Sequence, residues 1–530
     1  MTDLVVIGAG PAGAAAAITA RARGMSVVVL EADRFPRHHI GESLVRLWTV
    51  FDTLGVLDQM EHTFQRKYGS GRIWGESPMP KWTSFDEHDP RPYSLQVRRS
   101  QFDAILADRA RAVGADVRFG WRAVEPIREN ERICGIRARD EDGVVHHLRA
   151  RFVIDASGRA GFLPKRLKLR VLDPFYPDLA VFTYVTGAHR FPGTHTGSLF
   201  IESVPLGWLW FIPLREGDVS VGLVCDKDSR TELRNRGLSN FLDSAVRSST
   251  GIARLLADAT AVQPTAVLAS GGYSSARYGG PGWLLAGDAG QFVDPMWATG
   301  VANSLRDGIR AASAVHGVIS GTVTEDEAIA FHDRHSARQA ATLHETVRYV
   351  YGLNLLHRDT AFWRVRHSQL SAPAETLRER GLGWLAKDPN VAYFRSAFAS
   401  MGVQASAVAE LDKRLTDLIE RSEEATRLSK RPLDEWTPRW EPGWEHRQAV
   451  GMDGAGILRR GIEVSDGDNR MFSASPVTIA ALGLIDGSRS VGAILRALTA
   501  EVGRPVDAMG RAQALAVLKT AHAEGATRIG

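Results

Sequence analysis

Short apolar runs and longer stretches with helical periodicity alternate along the chain. Leu4–Ile7 and Val27–Leu30 are apolar runs of the length expected for buried parallel strands, and the alanine-rich stretch Ala14–Arg23 lies between them. Three later stretches also have helical periodicity: Ala302–Val318, Ala337–Leu356 and Val403–Leu428. The order strand, helix, strand at the start predicts an α/β protein built on a Rossmann-type fold.

A different pattern occupies Gly207–Pro213, where side chains alternate with period two. Trp208, Trp210 and Ile212 fall on one side of the predicted strand. We therefore expect a β-sheet inserted into the nucleotide fold. A tryptophan-rich strand inside an ordinary core is the alternative interpretation.

Length and composition narrow the class of protein. A chain of 530 residues forms two or three packing units, and 44% apolar with 24% charged residues is ordinary for a globular protein. No run of about 18 apolar residues occurs, so we expect a soluble, cytoplasmic protein without a membrane partner. The net charge of +4 is small, so no nucleic-acid partner is expected. Cys134 and Cys225 form no cluster, which argues against disulfides and a metal site.

A glycine-rich turn joins the first strand to the first helix. In Gly8-Ala-Gly10-Pro-Ala12-Gly13, Gly8 permits a tight turn, Gly10 lets the backbone approach a pyrophosphate, and Gly13 permits close packing of the helix. Glu31, at the end of the second strand, is placed to accept the ribose hydroxyls of an adenosine. The pattern predicts a dinucleotide-binding site.

Three later motifs indicate which dinucleotide binds. Arg99 in Arg-Ser-Gln-Phe-Asp, then Asp155-Ala-Ser-Gly158, then Gly287-Asp288 occur in an order that resembles flavin monooxygenases of the hydroxybenzoate-hydroxylase type. That resemblance implies FAD as the cofactor, with Asp288 on the ribityl chain. NAD is the alternative, but it does not account for the late Gly287-Asp288 pair.

Lys67 supplies a narrower resemblance. Its spacing to Trp74 and Gly75, together with the Trp-x-Trp-x-Ile-Pro strand at Trp208, is similar to the flavin-dependent halogenases. The resemblance implies that reduced FAD, O2 and chloride or bromide give hypohalous acid. Lys67 then relays it to an electron-rich substrate in natural-product biosynthesis, and the side chains of Trp208, Trp210 and Ile212 wall the passage. A lysine that snorkels from a strand edge is the alternative for Lys67.

The same resemblance places further residues beside the flavin. Asp294 either caps a helix entry before Pro295 or forms an ester with a methyl group of the flavin ring. Thr299 and Gly300 are the expected halide site at a helix N-terminus, where the flavin's own C2 carbonyl oxygen is the alternative occupant. The remaining predicted flavin contacts are Gly41, Glu42, Ser43, Pro295 and Val301.

Departures from the family pattern bear on the substrate. Trp297-Ala298 stands where tryptophan halogenases carry a glutamate, and Pro11 and Ala14 replace their Thr and Trp in the glycine turn. These differences favour the phenol, pyrrole or activated-carbon branch, whose members often act on carrier-tethered substrates. Asn303 replaces the histidine of the usual Gly-Val-His, which puts the halide site in question.

The expected organisation is a flavin module over residues 1–370, a helical region and linker over 371–470, and a small module over 471–530. The linker is placed at Lys430–Arg447, and the last module weakly resembles winged-helix, peptide-binding domains that dock a carrier or leader peptide or cover the active site. No second nucleotide fingerprint is visible, so a separate NAD(P)H-dependent flavin reductase is the expected partner. A single-component aromatic hydroxylase and a peptide-binding scaffold with a vestigial flavin fold are the alternative functions.

Overall fold

The computed structural model describes residues 1–85, 87, 89–176, 178–368, 397, 416–417, 420–453, 455–466 and 470–529. The chain divides into two compact units. The first consists of Met1–Ala312, His332–Leu377 and Lys387–Ala405, and the second of Ser313–Phe331, Arg378–Ala386 and Ser406–Gly530. Among the described residues, no helix combines the length and hydropathy that crossing a membrane requires.

Twenty-five strands lie within the described ranges and are numbered in chain order, the first twenty in the first unit and the last five in the second. They are β1 (Thr2–Ile7), β2 (Val27–Glu31), β3 (Gln65–Lys67), β4 (Gly69–Ile73), β5 (Lys81–Ser84), β6 (Ser94–Gln96), β7 (Asp116–Phe119), β8 (Arg122–Glu129), β9 (Arg132–Arg139), β10 (Val145–Asp155), β11 (Arg170–Leu172), β12 (Asp178–Thr186), β13 (Leu199–Val204), β14 (Gly207–Pro213), β15 (Val219–Asp226), β16 (Thr260–Ala261), β17 (Ala266–Ala269), β18 (Tyr273–Ser275), β19 (Gly279–Gly280), β20 (Trp283–Leu285), β21 (Pro438–Trp440), β22 (Glu445–Met452), β23 (Leu458–Ser465), β24 (Arg470–Ser473) and β25 (Thr527–Ile529).

Fourteen of the helices in the described ranges are numbered in the same way. They are α1 (Pro11–Ala22), α2 (Trp48–Thr53), α3 (Leu57–Thr63), α4 (Arg99–Ala112), α5 (Phe162–Arg166), α6 (Arg230–Arg236), α7 (Leu238–Arg247), α8 (Gly251–Leu255), α9 (Gly300–Ile319), α10 (Glu325–Gly352), α11 (Ala361–Ser368), α12 (Pro476–Gly483), α13 (Val491–Val502) and α14 (Ala508–Ala523).

The nucleotide fold is built on a parallel sheet. Strands β20, β10, β1, β2 and β7 lie side by side in that order with parallel pairing, and β8 and β9 extend β10 as an antiparallel hairpin. Helix α1 follows β1 directly, so the predicted strand–glycine turn–helix–strand unit is confirmed. Its apolar strand residues are buried, as expected for a sheet covered on both faces.

A second, mixed sheet in the first unit has the order β16-β12-β15-β14-β13-β4-β5, with β17 also paired to β12, and two short strand pairs, β3-β6 and β11-β18, stand apart from both large sheets. The period-two prediction for β14 is confirmed, because Leu209 and Phe211 point into an apolar core cluster while the alternate residues face a cavity. Opposite Trp210 the sheet carries Gly222, where a Cβ atom would collide with the indole ring. The glycine therefore makes room for the tryptophan.

The C-terminal part differs from the expected linker. Residues Pro438–Trp440 and Glu445–Met452 are strands, and the buried side chain of Trp436 belongs to the same apolar cluster as Met471 and Leu518. Short strands whose partners lie elsewhere in the chain show no helical periodicity, which explains why this Trp-rich stretch resembles a linker in the sequence. Residues 420–428 are helical, whereas residues 403–415 of the predicted helix lie outside the described residues.

Candidate active site

A cavity of about 1510 Å³ opens at the carboxyl ends of β1 and β2. This large cavity exceeds the range of roughly 300–1,000 Å³ typical of ligand pockets, so an extended dinucleotide fits it. Sixteen predicted site residues line it: Gly8, Gly10, Ala12, Glu31, Gly41, Glu42, Ser43, Arg99, Trp208, Trp210, Ile212, Asp288, Asp294, Pro295, Gly300 and Val301. The fold of the first unit thus brings residues that are far apart in the sequence to the wall of this one cavity.

The glycine turn has the geometry that a phosphate-binding loop needs. Gly8 has φ of 96°, and a Cβ atom there would lie 2.5 Å from the carbonyl oxygen of Ala156. Gly13 does not line the large cavity; a Cβ atom there would collide with the carbonyl oxygen of Gly8, as expected for close helix–strand packing. Gly10 faces the cavity with only the Arg37 guanidinium nearby, so the backbone is open to a pyrophosphate.

Glu31 is held before any ligand arrives. Its Oε2 accepts the N–H of Ala9 at 2.8 Å and its Oε1 accepts the N–H of Asp33 at 3.0 Å. A carboxylate offers about four acceptor positions, so two of them remain for ribose hydroxyls. The carboxylate thus fixes the glycine turn and is able to receive the adenosine as well.

Arg99 anchors the segment that carries Gly41. Its Nε and one terminal nitrogen donate to the two carboxylate oxygens of Asp103 at 2.9 and 3.1 Å, and the other donates to the carbonyl of Ile40 at 2.7 Å. Gly41 has φ of 105°, and a Cβ atom would lie 3.0 Å from the Arg99 guanidinium. The arginine therefore shapes this wall of the cavity besides adding positive charge to it.

Glu42 is a buried carboxyl on the same wall. Its oxygens accept the hydroxyl of Tyr184 and, at 2.9 Å, the N–H of Gly41. Burial raises the pKa of Glu42 above its usual range. Burial likewise raises the pKa of Asp288 to about 6, while the nearby Arg159 opposes that shift. Two buried carboxyls with raised pKa values therefore face the cavity.

Asp294 has the capping role that was one of its two predicted alternatives. Its Oδ1 accepts the N–H of Met296 at 2.9 Å at the start of a short 3-10 turn, Pro295–Trp297. Its Oδ2 accepts the hydroxyl of Tyr351 at 2.9 Å. Burial raises the pKa of Asp294 to about 6, although both hydrogen bonds oppose the shift. The ester with the flavin stays a prediction.

The predicted halide site is only partly placed at the large cavity. Ala298 and Gly300 line it, whereas the side chain of Thr299 is not on its wall. Ala298, directly before Thr299, has a left-handed backbone with φ of 55°. A Cβ atom on Gly300 would meet nothing within 4 Å, so the start of α9 is open to a ligand.

Lys67 lies behind this wall, at the end of β3, which pairs with β6. Its side chain is only 1% exposed, so the snorkelling interpretation is wrong. It lines a small cavity of about 30 Å³, the space of a single water or small ion. Leu199, Ile201, Met296 and Ala298 line both cavities. Burial lowers the pKa of Lys67 to about 7, and none of the described residues on the small cavity is acidic.

Several residues of the site carry no signal in the sequence. Tyr351 receives the indole N–H of Trp208 at 2.8 Å, and Ser220 receives that of Trp210 at 3.1 Å. Arg72 lines the small cavity beside Lys67 and is held by Thr83 at 2.9 Å. These partners come from distant parts of the chain, and only the pairing of the strands and helices brings them together.

Known proteins that this chain resembles include FAD-binding proteins and halogenases. A family model for FAD binding domains matches residues 1–346. The flavin-dependent halogenase armH3 of Armillaria mellea is 34% identical, over 62% of this chain and 70% of the relative. The tryptophan 2-halogenase of Chondromyces crocatus is 31% identical over 70% and 72%. A 1H-pyrrole-2-carbonyl-[peptidyl-carrier protein] brominase of Pseudoalteromonas luteoviolacea is 29% identical over 66% and 85%.

Among solved structures, CmlS, a flavin-dependent halogenase, superposes with a TM-score of 0.74 at 23% identity. The superposition covers 99% of this chain and 95% of CmlS, which shows a shared fold. Relatives named for tryptophan and for a carrier-bound pyrrole match at similar identity, so identity alone does not select a substrate.

Proposed function

The chain belongs to the flavin-dependent halogenases, and from this premise we propose that Lys67 relays hypohalous acid from the flavin site to an electron-rich substrate. One observation carries the proposal. The Lys67 amine is buried in a small cavity that shares four wall residues with the large cavity. An ordinary structural lysine keeps its ammonium group in water, so this burial calls for a chemical reason.

FAD fits the large cavity at both of its ends. The open glycine turn at Gly10 and the fixed carboxylate of Glu31 suit a pyrophosphate and a ribose, while Arg99 and Asp288 stand further along the wall. Bound reduced FAD, together with O2, supplies the oxidising power that converts a halide ion to hypohalous acid. The chain's own contribution is to hold the cofactor, exclude water and guide the product.

Strand β14, in the wall of the large cavity, separates the formation of hypohalous acid at the flavin from its delivery to the substrate. Trp208, Trp210 and Ile212 present large side chains to the large cavity, and the hydrogen bonds of both indoles keep their rings in place. Rigid, apolar walls exclude bulk water, which would otherwise carry hypohalous acid away. They also keep an organic substrate at a distance from the cofactor.

Lys67 acts as a neutral amine. With a pKa of about 7, a large fraction of its side chain is uncharged near neutral pH. A neutral amine accepts a hydrogen bond from hypohalous acid, or it exchanges one N–H for a nitrogen–halogen bond and releases water. The halogen then passes to a substrate carbon as its bond to nitrogen or oxygen breaks, and the proton that the carbon loses ends on the lysine nitrogen, which restores the amine, or on the departing hydroxide, which becomes water.

The substrate class that we propose is an electron-rich phenol, pyrrole or activated carbon. Trp297 occupies the position of the glutamate of tryptophan halogenases and lines the small cavity with Trp74 and Lys67, so this wall is largely apolar. The brominase relative named for a carrier-bound pyrrole makes a tethered substrate one form to test beside a free one. A separate NAD(P)H-dependent reductase is the proposed source of reduced flavin.

The test compares Lys67→Met with Lys81→Met, which removes an exposed lysine of β5. Chemically reduced FAD, oxygen and chloride or bromide are supplied, and halogenated product, peroxide release and flavin occupancy are measured separately. We expect Lys67→Met to lose the halogenated product while it keeps the other two, and Lys81→Met to match the wild type. A halogenated product at the wild-type rate from Lys67→Met would reject the relay. A product that gains oxygen without halogen would favour the hydroxylase alternative.

A further inference from the structure

The amine of Lys67 is held by two acceptors. Its Nζ donates a hydrogen bond of 3.0 Å to the hydroxyl oxygen of Ser43 and a second one to the carbonyl oxygen of Leu44. Both acceptors belong to one short segment, and neither is charged. The amine is therefore oriented by neutral groups without an ion pair that would favour its protonated form.

The segment that carries these acceptors is itself fixed. Its backbone pairs with the neighbourhood of β6, through the N–H of Leu44 to Leu95 at 3.0 Å and the N–H of Val97 to Glu42 at 2.7 Å. The hydroxyl of Ser94 donates to the carbonyl of Leu44 at 2.9 Å. Because β6 also pairs with β3, the same short strand holds both the lysine and its acceptors.

The number of hydrogen bonds that a neutral amine donates determines which way its lone pair points. A neutral primary amine has two N–H groups and one lone pair, and the two acceptors engage both N–H groups. The lone pair is left for the small cavity that Lys67 lines with Trp74 and Ile201. A lone pair fixed in this direction is the group that a hydrogen donor or an electrophilic halogen requires.

Ser43 also lies on the boundary between the two spaces. It lines the large cavity, whereas Lys67 lines the small one, so their hydrogen bond crosses the wall between them. We propose that Ser43 is a positioning residue for the halogen-transfer step, which fixes the Lys67 amine across this wall with its lone pair on the small cavity. The inference rests on the proposed relay role of Lys67 and adds a second residue to it.

The charged groups near Lys67 come from three neighbouring segments. Arg72 of β4 lines the same small cavity. The Arg46 guanidinium lies over the ring of Phe85, 5.3 Å from its centroid. Lys67 itself is 5.9 Å from that ring. Glu42 precedes Ser43, and its carboxyl is engaged by Tyr184. No described carboxylate contacts the amine of Lys67. Removing the Ser43 hydroxyl therefore changes the pKa of Lys67 without breaking an ion pair.

The experiment replaces the hydroxyl and then restores it. Ser43→Ala removes the acceptor, Ser43→Thr keeps one, and Ser203→Ala is a control that removes another buried serine, whose hydroxyl donates to Ile73 at 3.3 Å. Each variant is assayed at saturating FAD, with rates expressed per bound flavin. We expect Ser43→Ala to lower the halogenation rate about ten-fold while peroxide release holds, since misplacement of a reacting group is costly. Ser43→Thr is expected to recover most of the rate, and Ser203→Ala to match the wild type.

A second readout does not depend on turnover. The chain has nine lysines, so [ε-13C]lysine labelling gives a spectrum in which the one resonance that titrates near neutral pH is assigned by its loss in Lys67→Met. A hydrogen bond stabilises the ammonium more than the amine. Ser43→Ala is therefore expected to lower the pKa of Lys67 by about half a unit to one unit, with Ser43→Thr close to the wild type.

The two proposals fail in different ways. If Lys67→Met abolishes halogenation but Ser43→Ala leaves both the rate per flavin and the Lys67 titration unchanged, Ser43 has no positioning role and the relay stands. If Ser43→Thr is as slow as Ser43→Ala, the hydroxyl is not what matters and the inference is overturned. If Lys67→Met still halogenates, the proposed function itself is wrong, whatever Ser43 does.

Discussion

The hydroxyl of Tyr351 donates a hydrogen bond of 2.9 Å to Oδ2 of Asp294, at the wall of the large cavity. The same hydroxyl oxygen receives the indole N–H of Trp208 at 2.8 Å. Tyr351 is fully buried, and Trp74 of the small cavity packs edge-on against its ring at 6.1 Å between centroids. The side chain of Tyr351 thus contacts the wall of the large cavity, the turn before α9 and the wall of the small cavity beside Lys67.

Replacing this tyrosine tests whether the link matters for guiding the halogen. Tyr351→Phe removes one acceptor and one donor, so the indole N–H of Trp208 and Oδ2 of Asp294 both lose a buried partner. We expect a loss of about 1–3 kcal/mol in the free energy of unfolding. We also expect more peroxide per halogenated product, because the Trp208 ring is no longer held in one orientation.

The control is Tyr349→Phe, which removes a hydroxyl from a half-buried position on the same helix. Thermal unfolding and the ratio of product to peroxide are measured for both variants. Equal ratios in Tyr351→Phe and the wild type, despite a lowered melting temperature, would limit Tyr351 to a structural role.

The sequence predicts the local parts of this site better than their partners. The turn from Gly8 to Gly13 and the alternation at Trp208 and Trp210 depend on neighbouring residues, and the structure confirms both. Burial of Lys67 requires pairing of β3 with β6 and the approach of residues from beyond position 290, which no periodicity encodes. Tyr351 lies on a long amphipathic helix, where the pattern identifies a buried face without naming what it covers.

Two expectations depend on features that linear patterns do not show. Thr299 is predicted at the halide site together with Gly300; it follows a left-handed turn at Ala298 and does not line the large cavity, and its role at a halide site stays a prediction. The stretch around Trp440 was expected to be a linker, but its residues form a strand pair with the chain's end, at β25. A long-range pairing, invisible in linear patterns, determines the second outcome.

A second prediction concerns stability. Burial lowers the pKa of Lys67 from its usual 10.5 to about 7, a difference worth on the order of 5 kcal/mol of unfavourable burial of the charged form. Lys67→Met keeps a similar shape and removes that penalty, although it also loses two hydrogen bonds. We expect the variant to be more stable than the wild type at pH 7 by about 1–3 kcal/mol.

The pH dependence of the free energy of unfolding tests separately whether the buried Lys67 destabilises the wild type. Between pH 7 and 10.5 the unfolded chain holds a proton on Lys67 and the folded chain does not, so stability of the wild type rises with pH relative to the variant. The slope is about 1.4 kcal/mol per pH unit. Denaturant unfolding at pH 7 and pH 9 should therefore show the advantage of Lys67→Met shrinking. An advantage that stays constant would mean that the folded protein keeps Lys67 protonated up to pH 9.

A third prediction contrasts two glycines of the cofactor site. In Gly13→Ala the new methyl group collides with the carbonyl oxygen of Gly8, which is backbone and cannot move aside, so we expect lost FAD binding and a lower melting temperature. In Gly300→Ala the methyl group meets nothing within 4 Å and enters the open space at the start of α9. That variant should fold and keep its FAD, but its KM for halide should rise. Isothermal titration with FAD and halide-dependent kinetics measure the two effects, and loss of FAD from Gly300→Ala would contradict the second.

The last prediction separates the C-terminal unit from flavin chemistry. Trp436 is fully buried in the apolar cluster that β23, α12, α13 and α14 share, so Trp436→Ala should destabilise that unit by about 3–5 kcal/mol. Trp440→Ala, at a half-buried position, is the matched control and should cost less. Every residue proposed to bind FAD lies at or before Val301, so flavin occupancy and peroxide release should hold in both variants. If the unit docks a carrier or gives the substrate access, halogenation of the natural substrate falls in Trp436→Ala alone. Limited proteolysis establishes that the unit has loosened, and an unchanged halogenation rate in a protein so loosened would show that the unit is only a stabilising cover.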